Sequence, residues 1–350
     1  MVRRVARPRA LAGFAGWLLA AAVAAAAAPS LAPIRDAAKV AWSHAPYESG
    51  SCSLCHRSDD PAKPGPLNAE VNTICFGCHE DVQAALAKAP SSHAAAEDAC
   101  TNCHNPHNAS LAKLLLAPAP QLCNQCHDEI AKLANLGTVR HAAVSQGPAC
   151  LNCHSPHAAN VEHLLKALPY DLCVNCHSGK ALQDDAGKRL TDFGELLAAN
   201  PYPHGPVASK DCTACHQPHG GANFRLLVAI YPATFYAPFE RTNYDLCFTC
   251  HNEQLALERE TSTQTGFRNG NTNLHFIHVN KADRGRTCRA CHEVHAAPQP
   301  HLIRNSVPYG NKNWLLPVNY RQDANGGSCE KTCHGPRAYD RKAPPAAAAK

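Results

Sequence analysis

Every one of the 20 cysteines in this 350-residue chain belongs to a pair followed at once by histidine. In order the pairs are Cys52/Cys55-His56, Cys75/Cys78-His79, Cys100/Cys103-His104, Cys123/Cys126-His127 and Cys150/Cys153-His154. The second half continues with Cys173/Cys176-His177, Cys212/Cys215-His216, Cys247/Cys250-His251, Cys288/Cys291-His292 and a stretched Cys329/Cys333-His334. Paired cysteines alone would suit a disulfide framework or zinc ribbons, but neither explains a histidine after every pair. C-x-x-C-H is the attachment signature of c-type haem. Its two thiols add to the porphyrin vinyl groups, and the histidine, carried by the same turn, ligates the iron. About ten covalently bound haem c groups, each with its iron, are therefore expected.

Composition points the same way. Aromatics are 6% of the chain, there is one Met, and much of the 45% hydrophobic fraction is Ala and Cys. Such side chains bury too little apolar area to offset the entropy of ordering so many residues. The expected fold class is a multihaem cytochrome c, mostly irregular with short α-helices, a haem-organised core and five haem-pair repeats.

The repeat shows in the spacing. First cysteines within a pair of motifs lie 23 residues apart three times, then 35 and 41. Four units share an upstream His (His93, His141, His204, His278) and a second His three residues after the ligating one (His107, His157, His219, His295). An apolar doublet follows seven residues later: Leu114-Leu115, Leu164-Leu165, Leu226-Leu227 and Leu302-Ile303. The first unit has His44 upstream but Asp59 in place of the second His. The expected division is a leader over 1–32, haem-pair units over 33–90, 91–137, 138–200, 201–270 and 271–341, and a disordered tail over 342–350. Short helices are expected over 80–89, 128–136, 190–199 and 252–260, several with acids in the first turn. Elsewhere Pro, Gly and Asn interrupt the chain too often for long elements.

The leader is inferred from Arg3, Arg4, Arg7 and Arg9 followed by an apolar, Ala-rich run from Leu11 to about Ala28. That run is short and weakly hydrophobic for a membrane anchor, so cleavage between Ala24 and Ala32 is expected. No cysteine precedes Cys52 to carry a lipid at the cleavage point. The protein is accordingly expected to be exported: periplasmic, outer-membrane-associated or extracellular. Loss of four arginines and no acid takes the formal charge from +5 to +1. No Lys/Arg cluster remains to support nucleic-acid binding. Haem propionates would make the holoprotein acidic, and partner recognition should follow that field and the exposed haem edges.

The ligand opposite each motif histidine decides the chemistry, because a closed iron transfers electrons and an open one binds substrate. The only Met is the initiator, so Met/His ligation is absent. Twelve histidines lie outside the motifs: His44, His93, His107, His141, His157, His163, His204, His219, His275, His278, His295 and His301. Ten haems need ten. A second His only three residues beyond its motif His projects from nearly the same side of the backbone, so it should serve a neighbouring haem. His163, His275 and His301 fall outside the pattern. One of them is needed for the ligand missing from the first unit, and His275 is counted among the ligands. Failing that, one haem stays open.

From about Ser43 to Gly335 these residues resemble the multihaem c-type cytochromes with doubled C-x-x-C-H motifs. Stretches within His141 to His177, with C-L-N-C-H-S-P-H and D-L-C-V-N-C-H, are similar to periplasmic decahaem cytochromes of metal-reducing bacteria, which insert into an outer-membrane β-barrel porin. The resemblance implies electron transfer across the periplasm or outer membrane, with a periplasmic donor, an outer-membrane or extracellular acceptor and a porin as partners. The sequence departs from it at Asp59, in the last motif, and in insertions over 228–243 and 305–326. Aromatics in those insertions (Tyr231, Phe235, Tyr236, Phe239, Tyr309, Trp314, Tyr320) suit either a docking surface or lids over haem. An electron-transfer protein with no catalytic residues is the expected function. The alternatives are a multihaem reductase of a small nitrogen or sulfur oxyanion, using one open haem, and a structural subunit of a filament.

Overall fold

The computed structural model describes residues 30–184, 187–309, 314–329 and 335–345. The expected leader up to residue 29 and the end of the tail from 346 lie outside the described residues. Within them the protein is mostly irregular, with helices of nine residues or fewer and short strands. No helix among the described residues is long and apolar enough to cross a membrane.

The first motif of each unit sits on a single tight turn. In Cys100–Asn102 the His104 amide donates to the Cys100 carbonyl at 3.1 Å, and the same bond recurs from His56, His154, His216 and His292 to their first cysteines at 2.8–3.1 Å. One helical turn brings positions i, i+3 and i+4 to one face, so both thiols and the imidazole emerge together. The chain then doubles back, bridging His56 to Leu67, His104 to Leu115, His154 to Leu165, His216 to Leu227 and His292 to Ile303. In the last four cases the reversal runs through two consecutive left-handed residues, Lys113-Leu114, His163-Leu164, Arg225-Leu226 and His301-Leu302. The apolar doublet of the sequence is thus one left-handed residue and the one that bridges back to the motif.

Second motifs lead into helices where the sequence allows it. Glu80–Lys88 and Asp128–Leu136 begin directly after His79 and His127, with acids in their first turns. Phe193–Ala199 is capped by Asp192, whose carboxylate accepts from Glu195 N–H at 3.1 Å. The helix expected over 252–260 shrinks to Gln254–Leu257, because Asn273 takes the Leu255 and Glu258 carbonyls with its side-chain amide at 2.9 and 2.8 Å.

Units are clasped by two-residue ladders. Trp42–Ser43 pairs with Asn108–Ala109, Ser91–Ser92 with Ala158–Ala159, and Tyr202–Pro203 with Ala296–Ala297. Val139 bridges Gly221 in the same way. In each case residues just before an upstream His pair with residues just after the second His of the next unit. The helix after a second motif reaches one unit further. Glu80–Lys88 packs on Ala158–Ala159, Asp128–Leu136 on Gly220, and Phe193 meets the His295 ring edge-on at 4.8 Å.

Side-chain core is scarce. The described hydrophobic cluster joins Tyr231, Tyr244, Ala256 and Val279, with Phe239 and Phe248 against it, all in the last two units. The first three units hold no such cluster among the described residues, and their buried hydrophobics are Ala109 and Ala149. The insertion over 305–326 contributes strands. Ser306–Tyr309 pairs with Trp314–Pro317, and Tyr320–Gln322, Gly326–Cys329 and Arg337–Asp340 form a three-stranded sheet. Tyr309 packs edge-on with Phe235 at 5.3 Å, whereas Trp314 remains 66% exposed. Part of the tail expected to be disordered is folded: Lys342 and Ala343 N–H donate to the Asp340 carboxylate at 2.7 and 2.8 Å, and Pro344 packs on Gly270.

Two glycines decide how closely these layers approach. A Cβ on Gly137 would lie 2.7 Å from the Leu133 carbonyl and 2.8 Å from Gly221, and Gly220 has a φ of +132° with the Leu133 carbonyl against it. Gly220→Ala is therefore expected to destabilise the protein by more than about 2 kcal/mol, seen as an earlier midpoint in chemical denaturation. Gly147→Ala, at a φ of +58° in open space, should cost only the local backbone strain of about 1–2 kcal/mol and leave unit packing intact.

Candidate haem-binding site

Nine histidine pairs face one another across narrow gaps. Within units, the upstream His opposes the second motif: His44 with His79 at 6.2 Å between ring centres, His93 with His127 at 6.1 Å, His141 with His177 at 6.3 Å and His204 with His251 at 6.0 Å. Between units, the second His opposes the first motif of the preceding unit: His107 with His56 at 6.1 Å, His157 with His104 at 6.1 Å, His219 with His154 at 6.1 Å and His295 with His216 at 6.3 Å. The ninth pair is His275 with His292 at 6.3 Å.

These gaps fit a haem. An iron bound by two imidazoles at about 2 Å each, with about 1.1 Å more from nitrogen to ring centre on each side, requires centres roughly 6 Å apart. Nothing else in the fold accounts for nine gaps of this one width. No two described cysteines are joined in a disulfide, and no three His, Cys, Asp or Glu side chains among the described residues converge as a metal cage, so the thiols are not arranged as zinc ribbons.

The imidazoles are prepared for ligation. Burial lowers the pKa of His107, His157, His177, His204, His216, His219 and His292, and drives that of His275 down to about 3. A neutral ring is what a metal needs. The remaining ring nitrogen is held by backbone: Nδ1–H of His56, His104, His154, His216 and His292 donates to the carbonyl nine residues on, at 2.7–3.0 Å. Nδ1–H of His44, His93 and His141 donates to Pro106, Pro156 and Pro218 at 2.7–2.9 Å. Such bonds fix the tautomer and ring orientation and leave Nε2 for the iron. His275 uses the Thr265 hydroxyl at 3.0 Å, and His295 approaches the Glu293 carboxylate at 3.4 Å.

A family model described as the doubled CXXCH motif matches residues 44–84, 93–132, 141–182 and 204–256, together just over half of the chain. The chain belongs to this family. It is a multihaem c-type cytochrome serving electron transfer. No curated protein matches it.

The matched segments of the cytochrome run from each upstream His to the helix after the second motif. The fifth pair lies outside them, where motif spacing is widest and the last motif has an extra residue. Its Cys329 ends a strand, and the rest of that motif, including Cys333 and His334, lies outside the described residues. His278 shares the helix Leu274–Val279 with His275 and stacks on Phe267 at 5.8 Å.

The shortage of one histidine falls elsewhere than the sequence suggested. His56 in the first unit faces His107, and Asp59 accepts from Ser53 N–H at 2.7 Å as a turn cap. Because each second His serves the unit before it, the first unit needs none. The unit left short is the last, whose His292 faces His275 on the helix Leu274–Val279. His163 and His301 stand at the left-handed turn positions, where their carbonyls, not their rings, serve His154 and His292. The reuse of a carbonyl nine residues on was missed in the sequence, although the constant interval from motif His to apolar residue carried the signal.

The thiols also fall in order. Cys75 lies against Cys100, Cys123 against Cys150, Cys173 against Cys212 and Cys247 against Cys288, each joining one unit to the next. Within units, Cys55 is within electrostatic reach of Cys78, Cys103 of Cys126, Cys153 of Cys176 and Cys215 of Cys250. Burial, with the Cys100 thiol beside it, pushes the Cys75 thiol up to about 12.

Cys291 keeps the local geometry of the other first motifs. Its backbone follows the common turn, with its N–H donating to the Cys288 carbonyl at 3.2 Å and its own carbonyl accepting Arg304 N–H at 3.0 Å. The half-buried Cys291 thiol has the Arg304 guanidinium within electrostatic reach, as Cys153 has Lys166 from the matching position. Arg304 is held there by its ion pair with Glu293 at 2.8 Å, a contact that arises only from the fold of the last unit. The cysteine that the pattern would set opposite Cys291 is Cys333, outside the described residues. Cys291 thus shares the attachment turn and the adjacent His292 ring, and among the described residues the thiol-to-thiol succession runs through the fourth unit and on to Cys288.

His157→Ala is expected to convert one low-spin haem to a high-spin, carbon-monoxide-binding form without loss of haem mass. His163→Gly should leave every haem low-spin and raise stability by up to about 1 kcal/mol by relieving the left-handed residue. Spectra under carbon monoxide and denaturation midpoints check the two together.

Proposed function

We propose that the protein is an exported decahaem cytochrome that conducts electrons along its haems in sequence order, across the periplasm or outer membrane, as in extracellular electron transfer. The observation carrying this reading is the succession of thiol contacts, second cysteine to second cysteine within units and first to first between them. Porphyrins attached at those thiols come edge to edge from each motif to the next, and tunnelling falls steeply with distance. Haem supplies the one-electron chemistry. The chain's part is to oppose imidazoles on both faces, exclude exogenous ligands from the iron, and hold successive attachment turns together.

Ten haems follow if the fifth unit obeys the pattern of the other four, in which the upstream His serves the second motif. His278 is then the partner of His334, and the thiols of Cys291 and Cys333 continue the within-unit series. The likeness to porin-associated cytochromes supports a periplasmic donor, an acceptor at or beyond the outer membrane, and a β-barrel partner. A reductase needs an open iron, and the first unit, where the sequence left room for one, has His107 opposite His56.

Intact mass and visible spectrum of the exported protein are expected to give ten haems, all low-spin. Potentiometric titration should give overlapping low-potential transitions, and ferric paramagnetic resonance mainly rhombic low-spin signals, since ring planes within pairs differ by only 7–37°. Rapid nitrite or carbon monoxide binding by the reduced protein would move the assignment to a reductase. Colourless protein would end the haem reading altogether.

A further inference from the structure

The second His of each later unit, or the residue after it, lies against the helix that follows a motif pair two units earlier. His157 lies by Glu80–Lys88, with Asp81 close enough to act on its ring electrostatically, and His295 lies under Phe193 of Phe193–Ala199. Residues following His219 take Asp128–Leu136 in the same manner. By this rule His107 would take a helix that follows a motif pair ahead of Cys52, and residues 1–51 contain no cysteine.

A different element occupies that place. Nδ1–H of His107 donates to the Leu31 carbonyl at 3.0 Å, and the Asn105 side-chain amide donates to Ala32 at 3.3 Å. Asn108 closes a two-way clamp with Ile34: its side-chain oxygen accepts Ile34 N–H at 2.7 Å, and its amide donates to the Ile34 carbonyl at 3.1 Å. Asn105 and Asn108 are each only 4% exposed, and Asn105 also accepts the His107 amide at 3.0 Å. A leader ending at residue 32 would remove Leu31 and Ala32, so these contacts require cleavage ahead of Leu31, within the Ala24–Ala32 window. Here both residues are folded over the distal ligand of the first haem position.

We propose that Leu31–Ile34 is an end cap that positions the His107 imidazole on the first haem, making that haem alone dependent on the amino-terminal segment. This rests on the haem reading above. In a stack of repeats the terminal unit lacks the neighbour that satisfies its interior counterparts, and a cap must supply those contacts. The Leu31 carbonyl supplies the Nδ1 partner that fixes ring orientation and raises ligand basicity. The cap is separable from the fold beneath it, because the Trp42–Ser43 ladder to Asn108–Ala109 and the bond from His44 N–H to His107 O do not involve it. His107 is thus a ligand, whereas Asn105, Asn108 and the Leu31 carbonyl are positioning groups.

The test uses the exported holoprotein in two forms, one lacking residues 31–34 and one carrying Asn108→Ala. Each is examined by intact mass, potentiometric titration and paramagnetic resonance. Expected is a full haem count with one haem's potential and low-spin signal displaced, more strongly in the deletion, and up to one haem's worth of carbon monoxide binding. Unchanged haem signals in the deletion, or shifts spread over many haems, would overturn the proposal. Should the deletion fail to accumulate, Asn108→Ala decides alone by the same criterion. A wild-type protein without haem would instead sink the underlying function, so the two failures are distinct.

Discussion

The opposition of two imidazoles across a gap of one porphyrin is the constraint on which the architecture depends. In eight of the nine described pairs one ring comes from a motif and the other from a recurring His of the same unit or the next. Each gap therefore fixes how two stretches of chain sit against each other. With hydrophobic side-chain packing confined mainly to the last two units, these gaps and the thiol attachments must provide what burial provides elsewhere. A large flat apolar group filling each gap supplies burial, and two covalent links per group restrict the unfolded chain much as disulfides do.

Interlocking follows from the same geometry. The ladder beside each upstream His joins it to the second His of the next unit; thus His44 N–H donates to the His107 carbonyl and its ring to the neighbouring Pro106 carbonyl. Distal ligands for two adjacent haem positions are set by one small piece of backbone. A displacement there moves both, which couples neighbouring positions mechanically. Repeats built this way share the logic of a solenoid, in which interior units satisfy one another and terminal ones need substitutes. At the amino end the substitute is an extended segment over His107. At the carboxyl end it is the helix Leu274–Val279 carrying His275, backed by Phe267 and by the sheet strand Arg337–Asp340 through Tyr339.

The first and last units differ in construction. The first is bare of side-chain core, with Trp42 and Tyr47 open beside the His107 face. The last two hold the aromatic cluster, and the Glu293–Arg304 pair at 2.8 Å is mostly buried beside His295 and Cys291. Such local charge differences around otherwise similar ligand pairs are a means of making successive potentials unequal.

Much of this was legible in the residues. The motif spacing states the cofactor because two thiols and an imidazole on one helical turn have a fixed local geometry that needs no tertiary context. The upstream and second histidines were legible as candidate ligands because no Met remained to compete. Which iron each serves was not, since that depends on contacts between segments some 50–80 residues apart, such as His56 with His107 and His216 with His295. The position of Asp59 looked like a defect in sequence and is an end effect in three dimensions. His275 and His301 both fall outside the repeat pattern in sequence, yet one ring faces a motif and the other stands on a turn that needs only its carbonyl. Sequence determined what is bound and where it is tethered; the long-range pairing of units decided what closes each site, because a ligand's partner is set by which surfaces meet.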